Sequence, residues 1–439
     1  MPWSGIKGLT WAKVRKIDPM LYQNDSEQLK DVFLAPAMDA FAQAESIRRC
    51  PSVSDQQWVQ MGIERALEDS QSGRDFIQNW NLSHLDQAVD FSQFFGIQRS
   101  ARRLKLVREV NTLVASAMPA HMHSMIDHFP ELDGFDIYAG DGHYIGASTH
   151  ETLIQGKRRP VGHFYTLDLR SHGLTYLTGT DLEDGTKKGE HDMHALKRQS
   201  GRALKQGAKK GRKVLYVWDP AGIDFDQWGR WKQSYGVYFL SRAKKNMVFT
   251  ELEKLEVDPT LAVNAGVLSD QKVLNQSSKT SLRLITYQCP DSGEIYKFVT
   301  SELKINPGIL AWIYKRRWDL EKTYDTFKNK ICETKAWGDS QEAKEMQAQF
   351  ICLTHNLMVL LEQQTGVTDV NEVQRATKRF EAQEIKAAEQ GRTFAPQYCN
   401  PLKRSQLGLK FIRWLRHQIN NAASYTLACR RLRYVYENF

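Results

Sequence analysis

FDIYAGDGHYIGAS, residues 135–148, opens as an apolar strand and runs out into glycine-containing turn chemistry around Asp141. HFYTLDLR (163–170) and LTYLTG (174–179) follow, with Ser171, His172 and Gly173 between them. Both arms are rich in β-branched and aromatic residues, the pattern of a β-hairpin. Residues 191–208 read as a helix. KVLYVWD (213–219) is then a short, continuous apolar run that ends at Asp219, as expected of a buried central strand.

Strand, strand, strand, helix, strand is the order in which a ribonuclease-H-like α/β core begins. Working outward, residues 1–125 read as mostly helical, because LKDVFLAPAMDAFAQAESIRR (29–49) and QWVQMGIERALED (57–69) space their apolar positions by three and four. Short β-like runs recur at 235–305: YGVYFLS, NMVFTEL, LRLITYQ and EIYKFVTS. After them the helical pattern returns and continues to the end. The expected division is a helical, DNA-binding region at 1–125, a first core part at 126–234, a β-rich insertion at 235–305, a second core part at 306–365, and a helical C-terminal region at 366–439.

The bulk properties bound the function. A chain of 439 residues with 41% hydrophobic and 10% aromatic content divides into more than one core and is not a disordered one. Sixty Lys and Arg against 51 Asp and Glu leave a charge of +9, which favours a polyanionic partner. Six scattered cysteines form no C-x-x-C pair, so neither a disulfide framework nor a zinc knuckle is expected. The most apolar stretch, 350–361, is too short to span a bilayer and holds His355 and Asn356. The expectation is a cytoplasmic protein with no membrane partner.

The chemistry concentrates in NPGILAWIYKRRWDLEKTYDTFKNK, 306–330. Asn306 suits an N-cap and Pro307 the first helical position, and after Gly308 no Pro or Gly follows until Gly338, so a helix over 307–331 is predicted. At about 100° per residue, Tyr314, Arg317, Glu321 and Lys328 fall within roughly 60° of one another on one face. Ile313, Leu320, Phe327 and Ile331 form an adjoining apolar seam. An acid flanked by two cations and a phenol suits a site for metal and phosphate, the carboxylate taking metal and the cations clamping phosphates.

Tyr314, two residues, Arg317, three, Glu321, six, Lys328 is a complete Y-(2)-R-(3)-E-(6)-K signature. In this the chain resembles the DDE transposases of bacterial insertion sequences, specifically the insertion-sequence-four (IS-four) family. The resemblance covers about 133–335. It implies a catalytic triad of Asp141 at the end of the first core strand, Asp219 at the end of the fourth, and Glu321 on the signature helix. It also implies a β-rich domain inserted between the second Asp and the Glu. Two Mg²⁺ (or Mn²⁺) ions would be held by Asp141, Asp219 and Glu321, and Tyr314, Arg317 and Lys328 would bind DNA phosphates. Double-stranded DNA (transposon ends and target) and a second copy of the chain would be the partners. Some members hold a flipped base on a Trp of the inserted domain. No Trp lies between Trp231 and Trp312 here, and Tyr287, Tyr296 and Phe298 are the aromatics available.

Physical reasoning supports the same triad, because adjacent parallel strands end side by side and three close acids need cations to offset their repulsion. Asp133, Asp136, Asp224 and Asp226 are weaker competitors, lying before or beyond the strand ends. Basic stretches offer further DNA contacts or, alternatively, solvated faces. One is Arg99, Arg102, Arg103, Lys105 and Arg108 after Gly96, in the layout of a helix-turn-helix. Others are the ten Lys or Arg of 187–213 and the basic-aromatic tail from Lys403.

Overall fold

The computed structural model describes residues 27–44, 52–68, 72–121, 124–154, 156–180, 192–277, 280–289, 293–321, 323–324, 335–367, 370–389, 391 and 404–438. Among the described residues five α-helices come first: α1 (Leu29–Gln43), α2 (Asp55–Leu67), α3 (Gly73–Ser83), α4 (Phe91–Ile97) and α5 (Ala101–Ala117). Side-chain caps start three of them in turn. Ser54, Ser72 and Ser100 each accept from the backbone N–H three residues on, satisfying a donor the helix itself cannot pair.

The sheet follows: β1 (Phe135–Ile145), β2 (Val161–Asp168), β3 (Leu174–Gly179), two short helices α6 (Asp192–Lys197) and α7 (Gly201–Leu204), β4 (Lys213–Val217), α8 (Phe225–Tyr235) and β5 (Val237–Arg242). Strands β6 (Phe249–Lys254), β7 (Val267–Asn275), β8 (Leu282–Gln288) and β9 (Ile295–Thr300) complete it. All belong to one nine-stranded mixed sheet of order β3-β2-β1-β4-β5-β9-β8-β7-β6. β1, β4 and β5 run parallel, while the other neighbours are antiparallel. The first of the short runs grouped with the insertion, at 237–242, is therefore the strand beside β4. The remaining four extend the same sheet through the pairing of Leu240–Arg242 with Thr300–Phe298.

The chain is α/β, with helices on both sheet faces. On one face Ile137, Ala139, Leu167, Leu215, Val217 and Leu240 share a core with α5, α9 (Pro307–Arg316) and α10 (Gln341–Thr365). On the other, Tyr138, Phe164, Tyr216, Trp218 and Phe239 pack with Phe225, Trp228 and Trp231 at α8. The period-two alternation of β1 and β4 sorts their side chains between these cores. Helices α11 (Val370–Glu389), α12 (Arg404–Asn420) and α13 (Tyr425–Asn438) close the chain, with Trp414 Nε1 of α12 donating to the carbonyl of Ala428 on α13. Among the described residues no helix is long and apolar enough to cross a membrane.

Two sequence expectations are corrected. The helix expected over 191–208 is two helices, because Ser200 leaves the helical conformation to cap the second through Ala203 N–H. The helix expected over 307–331 ends its regular part at Arg316. Arg317 N–H bonds to the Tyr314 carbonyl three residues back, and Leu320 N–H to Arg317, before helix resumes at 318–321. This tight turn needs no Pro or Gly: Arg316 and Asp319, both buried, pair across it at 2.7 Å. Residues 325–334, with Phe327, Lys328 and Ile331, lie outside the described residues, as does His191.

Candidate active site

Register places the first two acids. Ala139 of β1 is opposite Val217 of β4, and Val217 is opposite Leu240 of β5. Two residues further on stand Asp141, Asp219 and Arg242, at the ends of the pairing of three adjacent parallel strands. Asp141 continues the row Ile137–Ala139 and Asp219 the row Leu215–Val217, so both belong to the sheet face against which α9 and α10 pack.

A close approach holds this end of the sheet in place. Gly140 and Gly222 flank the buried Trp218 indole, and a Cβ on either would come within 2.0 Å or 2.4 Å of it. The turn after β4 is thereby pinned to β1. Asp219 accepts from Ala221 N–H at 2.8 Å, and Asp141 from Gly142 N–H at 2.9 Å. Both carboxylates have fixed orientations before any ligand arrives.

Glu321 comes from the helical turn after the break at Arg317. The Arg317 guanidinium donates to Glu321 Oε1 at 2.6 Å and approaches Asp141 Oδ2 at 3.4 Å, so one side chain joins two acids 180 positions apart in the sequence. Burial works against its charge, but Tyr314, Glu321 and Asp141 together hold its pKa above the ordinary arginine value. Its Nε is buried with no hydrogen-bond partner among the described residues. Burial also raises the Tyr314 phenol, against the opposing pull of Arg317, with Asp219 adding to the rise. Tyr314 thus connects electrostatically to both Arg317 and Asp219. Among the described residues no group of three or more His, Cys, Asp or Glu side chains is gathered to hold a metal ion. The cation between Asp141 and Glu321 is the arginine.

Three residues at the site carry no signal in the spacing pattern. Tyr324 donates its hydroxyl to the Asp141 carbonyl at 2.6 Å and packs against His143 and Tyr165. Arg242 is exposed, forms no ion pair among the described residues, and lies 5.7 Å from the Tyr296 ring centre. Trp318, directly after Arg317, is 57% exposed. The insertion's aromatics also converge here: Tyr296 stacks on Phe298, and Phe298 meets Tyr314 at 4.9 Å.

Three of the four competing acids have other partners. Asp136 binds Arg212, Asp224 caps α8 and pairs with Lys197, and Asp226 pairs with Arg230 within α8. The basic helix after Gly96 is α5, and most of its cations serve the fold. Arg102 and Arg103 bind Asp55, Arg99 binds Asp339, and Arg108 binds Glu345. In comparisons with known proteins, no family model and no curated protein matches the chain.

Proposed function

We propose that this chain is a DNA transposase of the DDE type, similar to the IS-four family, acting through Asp141, Asp219 and Glu321 on a ribonuclease-H-like core. One observation carries the reading: a single guanidinium joins Asp141 and Glu321, while strand register sets Asp219 beside Asp141. The order of β1, β2, β3, helices and β4 supports the fold assignment, and β6–β9 between Asp219 and Glu321 stand where the inserted β region is expected.

Three carboxylates are hard oxygen donors, the set that suits Mg²⁺ or Mn²⁺. Two such ions, when bound, would supply charge neutralisation and a water of lowered pKa for phosphodiester cleavage. Arg317 now provides that compensating charge. Its contact to Asp141, at 3.4 Å, is the longer of the two and would be the first to yield if Asp141 held an ion. The freed donors, with the unpartnered Nε, then suit a non-bridging phosphate oxygen. Tyr314 and Lys328 would hold the same backbone, and Arg242, at the rim beside Asp219, adds a cation with no acid to satisfy. The exposed Trp318 ring offers a base a stacking surface.

The reaction proposed is hydrolysis at a transposon end, releasing a 3′-hydroxyl, which then attacks a phosphodiester of target DNA and displaces a 3′-oxygen. A second copy of the chain would hold the other end, in the cytoplasm. The test incubates the protein with Mg²⁺, a donor plasmid carrying the DNA that flanks its gene, and target DNA. Joined products are expected, and Asp219→Asn should lower them at least about a thousandfold while end binding persists, a loss of several kcal/mol of transition-state stabilisation. Cleavage without joining supports a nuclease instead, and binding without cutting a non-catalytic DNA-binding protein.

A further inference from the structure

Asp141 is tethered twice from one short segment of chain. Arg317 reaches its carboxylate, and Tyr324 reaches its main-chain carbonyl. Glu321 lies between the two tether points, four residues after one and three before the other. Residues at those separations share a helix face, so the two tethers limit both rotation and sliding of Glu321 relative to β1.

The tethers differ in what a cation does to them. The Arg317 contact uses the Asp141 carboxylate, the group a metal ion would take, and its positive charge competes with the ion. The Tyr324 contact uses a carbonyl that does not titrate, so it can persist when the carboxylate is ligated. Tyr324 is also held firmly: it is 7% exposed, its ring lies nearly parallel to His143 at 5.3 Å, and Tyr165, the β2 residue opposite Asp141, packs against it. A phenol clamped by two rings keeps its hydroxyl in place at little entropic cost.

We propose that Tyr324 is a positioning residue of the acidic site: its hydroxyl, by holding the Asp141 carbonyl, keeps Glu321 placed to share a divalent cation with Asp141. This rests on the reading of Asp141 and Glu321 as cation ligands. Outer partners that orient ligands typically contribute 10–100-fold to metal affinity, and one neutral hydrogen bond belongs at the lower end.

The experiment uses the full chain and Mn²⁺. Calorimetric or spin-resonance titration gives Mn²⁺ affinity, and plasmid cleavage is followed against Mn²⁺ concentration. Tyr324→Phe should bind Mn²⁺ about tenfold more weakly. It should melt close to wild type without metal, and recover cleavage to within about threefold once Mn²⁺ saturates. Glu321→Gln should not recover. A merely structural tyrosine would instead lower melting and DNA binding, with no relief by metal, and that result overturns the proposal. So does a Tyr324→Phe affinity equal to wild type. If Tyr324→Phe fails to fold, Tyr324→Leu, which has neither a hydroxyl nor a metal-ligating atom, provides the same comparison. A wild-type chain that neither binds Mn²⁺ nor cuts DNA rejects the acidic-site reading itself, whereas equal binding by wild type and variant rejects only the role of Tyr324.

Discussion

Arg317 donates to Glu321 at 2.6 Å from a helix break that nothing in the sequence pattern announces. The same guanidinium faces Asp141, so the two acids are held together by an internal cation. Replacing Arg317 with Ala leaves two partly buried carboxylates without their common counter-charge. In chelator the variant should lose about 2 kcal/mol of stability, as for removal of a charged hydrogen-bond partner. Mg²⁺ should then raise its melting temperature more than that of wild type, because the ion replaces what was lost. Thermal melting with and without Mg²⁺ measures both. Equal melting in chelator would show that the bridge contributes nothing.

Gly140 tests the framework beneath the acids. Its would-be Cβ sits 2.0 Å from the Trp218 ring, a buried side chain with no room to retreat. Gly140→Ala should cost about 1–3 kcal/mol through overpacking. Because Trp218 precedes Asp219 directly, cleavage should fall by more than the folded fraction does. Activity normalised to folded protein, unchanged from wild type, would uncouple the indole from the acid.

A buried ion pair within the β region holds the arginine that bonds to the segment leading into α9. Arg283 of β8 forks onto Asp270 of β7 at 2.6–3.1 Å and donates to the Ile305 carbonyl, just before α9 begins. Breaking one side strands a buried charge, so Asp270→Ala should destabilise by about 3–5 kcal/mol. The paired change Asp270→Leu with Arg283→Met, which removes both charges, should cost less than Asp270→Ala alone. Urea unfolding ranks the variants, and a double variant less stable than the single one contradicts the account.

These contacts show what the sequence could and could not reveal. Apolar runs before Asp141 and Asp219 marked the parallel strands, since a strand buried on both faces has no other pattern to follow. Asp219 follows the end of β4, but β1 does not end at Asp141 as expected and continues to Ile145, paired with β2. β7 was missed because Val267–Asn275 separates its apolar pairs Val267–Leu268 and Val273–Leu274 with four polar residues, which gives neither a period of two nor a continuous apolar run. The membership of β5 in the central sheet depends on hydrogen bonds to β4, which composition does not encode. The break at Arg317 comes from the Arg316–Asp319 pair and its burial. Tyr324 looked like any aromatic one turn from an acid. Its partner is a main-chain oxygen 183 residues away, and backbone acceptors leave no trace in residue identity.

His163 gives the fold a pH dependence. It is fully buried on β2, opposite His143, and neither ring nitrogen has a hydrogen-bond partner among the described residues. Burial first, then the charges of His143 and Lys344, lower its pKa from 6.5 to about 3. The folded chain therefore keeps this imidazole neutral, while the unfolded chain takes up a proton near pH 6.5. Stability from this residue is complete above 6.5 and drains as pH falls, at about 1.4 kcal/mol per unit, or about 2 kcal/mol by pH 5. Asp168, also buried and with a raised pKa, pulls the opposite way, but it does so equally in a His163 variant. The difference between His163→Leu and wild type isolates the histidine. Urea unfolding at several pH values on either side of about 6.5 should show the variant's stability declining less steeply on the acid side. Parallel curves for the two proteins would mean that His163 is protonated or solvated in the folded state.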